Sequence, residues 1–176
     1  MEPKQPIPSR LLKPQVHRFA ESVASELGYA PGAALEPILG RLNGSLEYRS
    51  LFGSSDSADS IHVTPDGNFT IFMSGLTSSE RDRFTIAHEL GHYFLHFPLV
   101  RKKFPGASMV ATRWVDETDT DQRRAEWEAN WFAAAFLMPN DLFKADADLS
   151  SNDIQYLSLK YGVSMHAAQI RLATLS

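Results

Sequence analysis

Apolar residues recur at helical spacing early in the chain. Val16, Phe19, Ala20, Val23 and Leu27 share one face of a segment from about Pro14 to Gly28, where the glycine supplies a stop. A shorter helix is predicted around Ala33 to Leu42, ending at Asn43-Gly44. The period then changes. Leu46-Glu47-Tyr48-Arg49 alternates weakly, and Gly53 to Ser57 reads as a loop. Ile61-His62-Val63 and Phe69-Thr70-Ile71-Phe72 flank Pro65-Asp66-Gly67, a strong hairpin signal. Together these predict a small three-stranded antiparallel sheet.

Helical periodicity returns from Ser78 to Phe97, with Ser78 or Ser79 as N-cap and Glu80 in the first turn. Residues 98–117 are irregular, containing Pro98, Pro105-Gly106 and a short candidate strand through Met109-Val110-Ala111. A fourth helix is predicted from Asp119 to Met138, stopped by Pro139. Two more, Asn152 to Tyr161 and Met165 to Leu175, are joined by Gly162-Val163-Ser164. The fold class expected is α+β, mainly helical with the small sheet. Its divisions would be a flexible lead-in over residues 1–13, a main domain over 14–145, and a C-terminal helical pair over 146–176 packed on it, helix-turn-helix-like in pattern.

Length and charge narrow the possibilities. The 176 residues fit one domain. Seventeen basic against 21 acidic side chains give a net charge of −4, which weighs against a protein built mainly to grip nucleic acid. The segment Met1 to Pro14 is polar and broken by prolines, unlike a secretory signal. The longest strongly apolar stretch, Trp131 to Met138, is too short to span a membrane. A cytoplasmic protein without membrane association is expected. Cysteine is absent. Any transition-metal site must therefore use imidazole and carboxylate, and six histidines are present.

The helix over 78–97 contains His88-Glu89-Leu90-Gly91-His92. Two histidines four apart lie on nearly one helix face, about 6 Å apart along the axis, so both can converge on one ion. Glu89 points about 100° round from His88, where it can act as general base on a water at the metal. A zinc site needs a third protein ligand. In the helix over 119–138, Ala125, Ala129, Phe132, Ala133, Phe136 and Leu137 form an apolar face, with Glu126 inside it and Glu128 pointing nearly opposite, beside Arg124. A carboxylate on a core face needs compensation. Glu126 is the better candidate ligand, and Asn130, one turn on, could orient a ligand histidine. His96 is an alternative third ligand, but three ligands on one straight helix spread over about 12 Å. A cap or a place beside the substrate cleft suits it better. His17, His62 and His166 have no partner spacing and read as structural or exposed.

Both segments resemble the ImmA/IrrE family of metallopeptidases. The matching residues are Arg83 to His96 (Arg-Phe-Thr-Ile-Ala-His-Glu-Leu-Gly-His-Tyr-Phe-Leu-His) and Glu126-x-x-Ala129-Asn130-x-Phe132-Ala133-x-x-x-Leu137-Met138-Pro139. The hairpin and the tail Tyr161-Gly162-Val163-Ser164…Arg171-Leu172 also fit. The resemblance implies a minimal thermolysin-like zinc core, with His88, His92 and Glu126 as metal ligands and Glu89 as base. It further implies site-specific cleavage of a partner protein, a helix-turn-helix transcriptional repressor. Manganese or another divalent ion is compatible with the same ligands. Tyr93, His96 and Arg113 are candidates for the oxyanion donor, and Tyr93 and His96 for a place either behind the metal ligands or in the substrate cleft. An extended substrate would add to the hairpin strand over 68–73. Two rival readings are a non-catalytic zinc-stabilised module that binds a repressor or antitoxin, and a DNA-binding regulator using the C-terminal helices. The tail's few basic residues, Lys160 and Arg171, favour packing over DNA contact.

Overall fold

A computed structural model describes residues 1–49 and 58–175. The loop expected over Gly53 to Ser57 lies outside them. α1 (Lys13–Glu26) takes Pro14 in its first turn, where no N–H is needed, and buries Val16, Ala20 and Ala24. α2 (Glu36–Arg41) leads through Asn43, at φ 58°, into the sheet.

β1 (Gly44–Arg49), β2 (Asp59–Val63), β3 (Phe69–Ser74) and β4 (Met109–Thr112) form one sheet in the order β1-β3-β2-β4. The three-stranded antiparallel expectation is corrected to four strands and a mixed sheet. β2 and β3 form the expected hairpin, with Gly67 at φ 94° in its turn. β1 runs parallel to β3, and β4 runs antiparallel to β2. Weak alternation in β1 carries no information about direction. β4 falls on the candidate strand through Met109-Val110-Ala111, where only Met109 and Ala111 turn fully inward, too short a period-2 signal to assign it to the sheet.

α3 (Ser79–Gly91) starts at Ser78, whose hydroxyl accepts from the Arg81 amide. The single helix expected through to Phe97 is interrupted. His92–His96 is a π-helical turn, followed by α4 (Phe97–Lys103). Pro98 has no N–H and its ring would crowd the carbonyl four residues back. The wider turn absorbs this, with the Phe97 amide donating to His92 O, five residues back.

α5 (Thr120–Leu137), capped by Asp119, is the central helix, with α1 and α3 packed against it. Phe132 stacks between Phe94 and Phe136, at 6.0 and 5.7 Å. Pro139 ends α5 as expected, but a further helix, α6 (Asn140–Leu149), begins at once and runs through the expected boundary at 145. Proline at a helix N-cap both ends one helix and opens another, and the sequence pattern registered only the first role. α7 (Ile154–Tyr161) and α8 (Met165–Ala173) follow, with Gly162 in the left-handed region and Ser164 capping α8. Arg83 donates to Gly162 O at 2.8 Å and Gly32 O at 3.2 Å, fastening this tail to α3. Arg171, 2% exposed, donates to Met138 O and pairs with Glu21 at 3.0 Å. It is a buried staple, out of reach of a phosphate backbone.

Residues 1–13, expected as a flexible lead-in, make specific contacts. Lys4 bridges to Met109 at the edge of β4, and Ser9 and Arg10 reach Glu128 of α5. Among the described residues, no helix is long and apolar enough to cross a membrane.

Candidate metal centre

Position 91 sets how close α3 and α5 can lie. A Cβ there would stand 3.0 Å from Ala129 Cα and 3.1 Å from Phe132 Cβ, so only glycine admits this approach without displacement. Across the contact, His88 Nε2 lies 3.1 Å and His92 Nε2 2.9 Å from the two oxygens of Glu126. One ligand atom from each of these residues lies within 4.8 Å of the other two. The separation of a helix turn brings the imidazoles together, and α5 supplies the carboxylate from the opposite side.

Proton placement shows what such a cluster can hold. His88 Nδ1 is 2.8 Å from Asn130 Oδ1, which can only accept, so the ring carries its hydrogen on Nδ1. Its Nε2 lone pair then faces a carboxylate oxygen. Two acceptors at this distance repel unless a cation joins them. Without another cation, a proton serves. Burial pushes His88 down, but the Glu126 carboxylate and the charge of Glu89 outweigh it and raise the imidazole to about 9. Burial instead lowers His92 to about 4. Burial would raise Glu126, yet hydrogen bonds to both histidines hold it well below the usual carboxylate range. Two imidazole nitrogens and a carboxylate fit a zinc ion's preference for nitrogen and oxygen donors, with a coordination position left over.

Glu89 is 3% exposed, and its Oε2 has no partner among the described residues. Burial raises it to about 7 against the pull of His88. It lines a cleft of about 360 Å³ with His88, Glu126 and Asn130, facing Ser60 and Arg113 from the sheet side. Arg113 donates to Phe72 O at 2.8 Å and helps draw Glu89 down. A groove of about 660 Å³ shares Arg81, Phe84 and Asn130 with this cleft and continues past Trp131, Met138 and Ile170.

Several expected placements differ. Tyr93 is not in the cleft; its hydroxyl donates to Gly67 O at 3.2 Å and its ring packs on Phe69. His96 takes the N-cap position of α4 with no capping hydrogen bond from its side chain, and it is neither in the cleft nor in the ligand cluster. It is fully buried behind His92, between His92 Nδ1 and Glu128, because the π-helical turn rotates it inward. Glu128, expected opposite the core, is fully buried, whereas the Glu126 side chain is 26% exposed. Periodicity implies one buried face, but α5 is covered on both sides. β3 is flanked by β1 and β2, so it cannot accept a substrate strand. The edge beside the cleft is β4, where Lys4 already pairs with Val110 N–H. By alternation, the peptide groups of Thr112 face the same open side. Of the remaining histidines, His17 lies 3.3 Å from Arg171, while His166 is exposed. Glu128, Ser9 and Arg10 were missed by sequence reasoning; the only local signal was the i,i+4 pair of Arg124 and Glu128.

The sequence matches the family model Peptidase_M78, described as IrrE N-terminal-like domain, over residues 51–173. No curated protein matches. Among solved structures it is similar to a Mycobacterium tuberculosis transcriptional regulator, with a TM-score of 0.64 and 22% identity, covering 92% of this chain and 48% of that one. The chain thus spans about half the length of that protein, and the likeness is one of fold.

Proposed function

The chain belongs to the Peptidase_M78 family, with an IrrE N-terminal-like domain, and from that premise we propose that it is a zinc-dependent endopeptidase that cuts a partner protein at a specific site, a helix-turn-helix repressor. The convergence of His88 Nε2, His92 Nε2 and Glu126 on one point, with the buried Glu89 carboxylate and its unpaired Oε2 beside it, carries this reading. His88, His92 and Glu126 would hold the ion, and Asn130 would orient His88. What a bound zinc ion supplies there is Lewis acidity, polarising a carbonyl and bringing the pKa of water toward ~7.

Glu89 takes a proton from the attacking water and returns it to the departing amine. Its ionisation near neutral pH, set by burial, suits both halves of that task. Arg113, the one oxyanion candidate of three that lines the cleft, would donate to the carbonyl oxygen. The groove beyond Phe84 leaves room for the residues flanking the cut. In this reading residues 14–145 carry a minimal thermolysin-like core and the last helices brace it. The burial of Arg171 weighs against the tail as a DNA-binding element.

Glu89→Gln should keep zinc, measured by metal analysis, and lose cleavage by about 10²–10⁴-fold. The substrates are a peptide library read by mass spectrometry and the helix-turn-helix protein encoded nearest this chain. Binding of the repressor by the wild type without any cut, zinc present, would favour the non-catalytic module instead.

A further inference from the structure

Behind His92 lies a chain of buried polar atoms that holding a cation does not by itself require. We infer that Glu128 and His96, clamped by the backbone of Ser9 and Arg10, are positioning residues that fix the ring orientation and tautomer of His92; this rests on the metal-site reading above.

Glu128 sits among donors. Ser9 N–H and Ser9 Oγ at 2.8 Å and His96 Nε2 at 2.9 Å meet one oxygen, while Arg10 N–H at 2.8 Å and Arg124 Nε at 2.9 Å meet the other. An ionised carboxylate only accepts, so His96 Nε2 must carry a hydrogen. In the neutral ring His96 Nδ1 is then bare and accepts from His92 Nδ1, 2.9 Å away. His92 therefore carries its hydrogen on Nδ1 and turns the Nε2 lone pair toward Glu126. His92, His96 and Glu128 are all fully buried, so solvent offers no alternative partner. With a cation between His92 Nε2 and Glu126, each proton has one place.

The clamp shows the marks of a built feature. Arg10 stands at φ 60°, a region that side-chain-bearing residues rarely adopt. That turn aims successive amides at both oxygens of one carboxylate, a small anion nest. The residues it joins are 119 apart in sequence. Glu126 and Glu128 are two positions apart on α5, so a single helix meets His92 at its front and supports it from behind.

The test uses the full chain, with zinc affinity read by competition against a chromogenic chelator and folding by near-UV circular dichroism. His96→Phe keeps the volume but removes the acceptor, and should weaken zinc about 10–100-fold. His96→Asn returns an acceptor near the Nδ1 position and should recover most of that loss, which a purely structural role would not do. In the wild type, long-range 1H–15N spectra should show the His96 hydrogen on Nε2 in both metal-free and zinc-loaded protein, and the His92 hydrogen on Nδ1 in the loaded form. Zinc affinity unchanged in folded His96→Phe, or His96→Asn no better than His96→Phe, would overturn the relay. So would a His96 hydrogen on Nδ1, a result available even if the variants fail to fold. A wild type that binds no zinc while showing the His96 Nε2 hydrogen would sink the metal-site reading and leave the relay standing.

Discussion

A methyl group at position 91 would have to enter the contact between α3 and α5. The atoms it would meet are Ala129 Cα at 3.0 Å, Phe132 Cβ at 3.1 Å and Ala129 O at 3.2 Å. All belong to the backbone or the root of a side chain, so none can swing aside, and the helices must part. Overpacking of this kind costs about 1–3 kcal/mol. Replacing glycine by alanine inside a helix returns about 1 kcal/mol, so Gly91→Ala should come out roughly 0–2 kcal/mol less stable. Gly40 is the control: it is exposed on α2 and a Cβ there meets nothing within 4 Å. Gly40→Ala gains the propensity without the crowding. The difference between the two variants, about 1–3 kcal/mol, isolates the contact, and at about 2–4 °C per kcal/mol for a domain this size it separates their Tm values by roughly 2–12 °C. Parting the helices also draws Glu126 away from His88 and His92, so zinc affinity should fall in Gly91→Ala and hold in Gly40→Ala. Equal Tm shifts in the two variants would refute the packing argument. A destabilised Gly91→Ala that binds zinc as tightly as wild type would refute its link to the site.

Zinc at a hundred times its dissociation constant should add about 2.7 kcal/mol, or roughly 5–11 °C in Tm, and chelation should remove it; a Tm indifferent to both would count against a metal at His88, His92 and Glu126. Arg171→Leu strips the Met138 carbonyl and the Glu21 carboxylate of their buried partner and should cost about 2–4 kcal/mol by urea unfolding, below the full value for a buried pair because Glu21 is partly exposed. His17 is held at about 4 by burial, then by Arg171 and Lys13. The unfolded chain therefore binds a proton that the native state refuses, so stability present above about pH 6.5 is lost as pH falls toward 4, by about 1–2 kcal/mol after solvent screening. Urea titrations of His17→Gln at pH 7 and pH 5 should show a flatter dependence than wild type, and parallel curves would rule His17 out.

The histidine pair and its intervening glutamate were legible because their relation is local: four residues along one helix place two imidazoles on one face whatever packs around them. The hairpin was legible for the same reason, since Asp66-Gly67 carries its turn chemistry in place. Relations that depend on distant partners were not. β1 pairs with β3 rather than with its neighbour in sequence, and the π-helical turn arises from Pro98 acting on residues before it.

Glu126 and Glu128 show the limit most sharply. Spacing along α5 separates them by about 200°, and one buried face would put one inside and one out. Because α1 and α3 lie against α5, and Ser9 and Arg10 close over Glu128, both turn inward. The residue judged to face solvent is the more deeply buried of the two. A buried carboxylate was correctly seen to demand compensation, but two compensations were available. A cluster able to hold a cation meets Glu126, whereas a cage of amides, a guanidinium and an imidazole meets Glu128. Periodicity identifies a carboxylate that needs a partner; which partner it has is decided by chain 32 to 119 residues away.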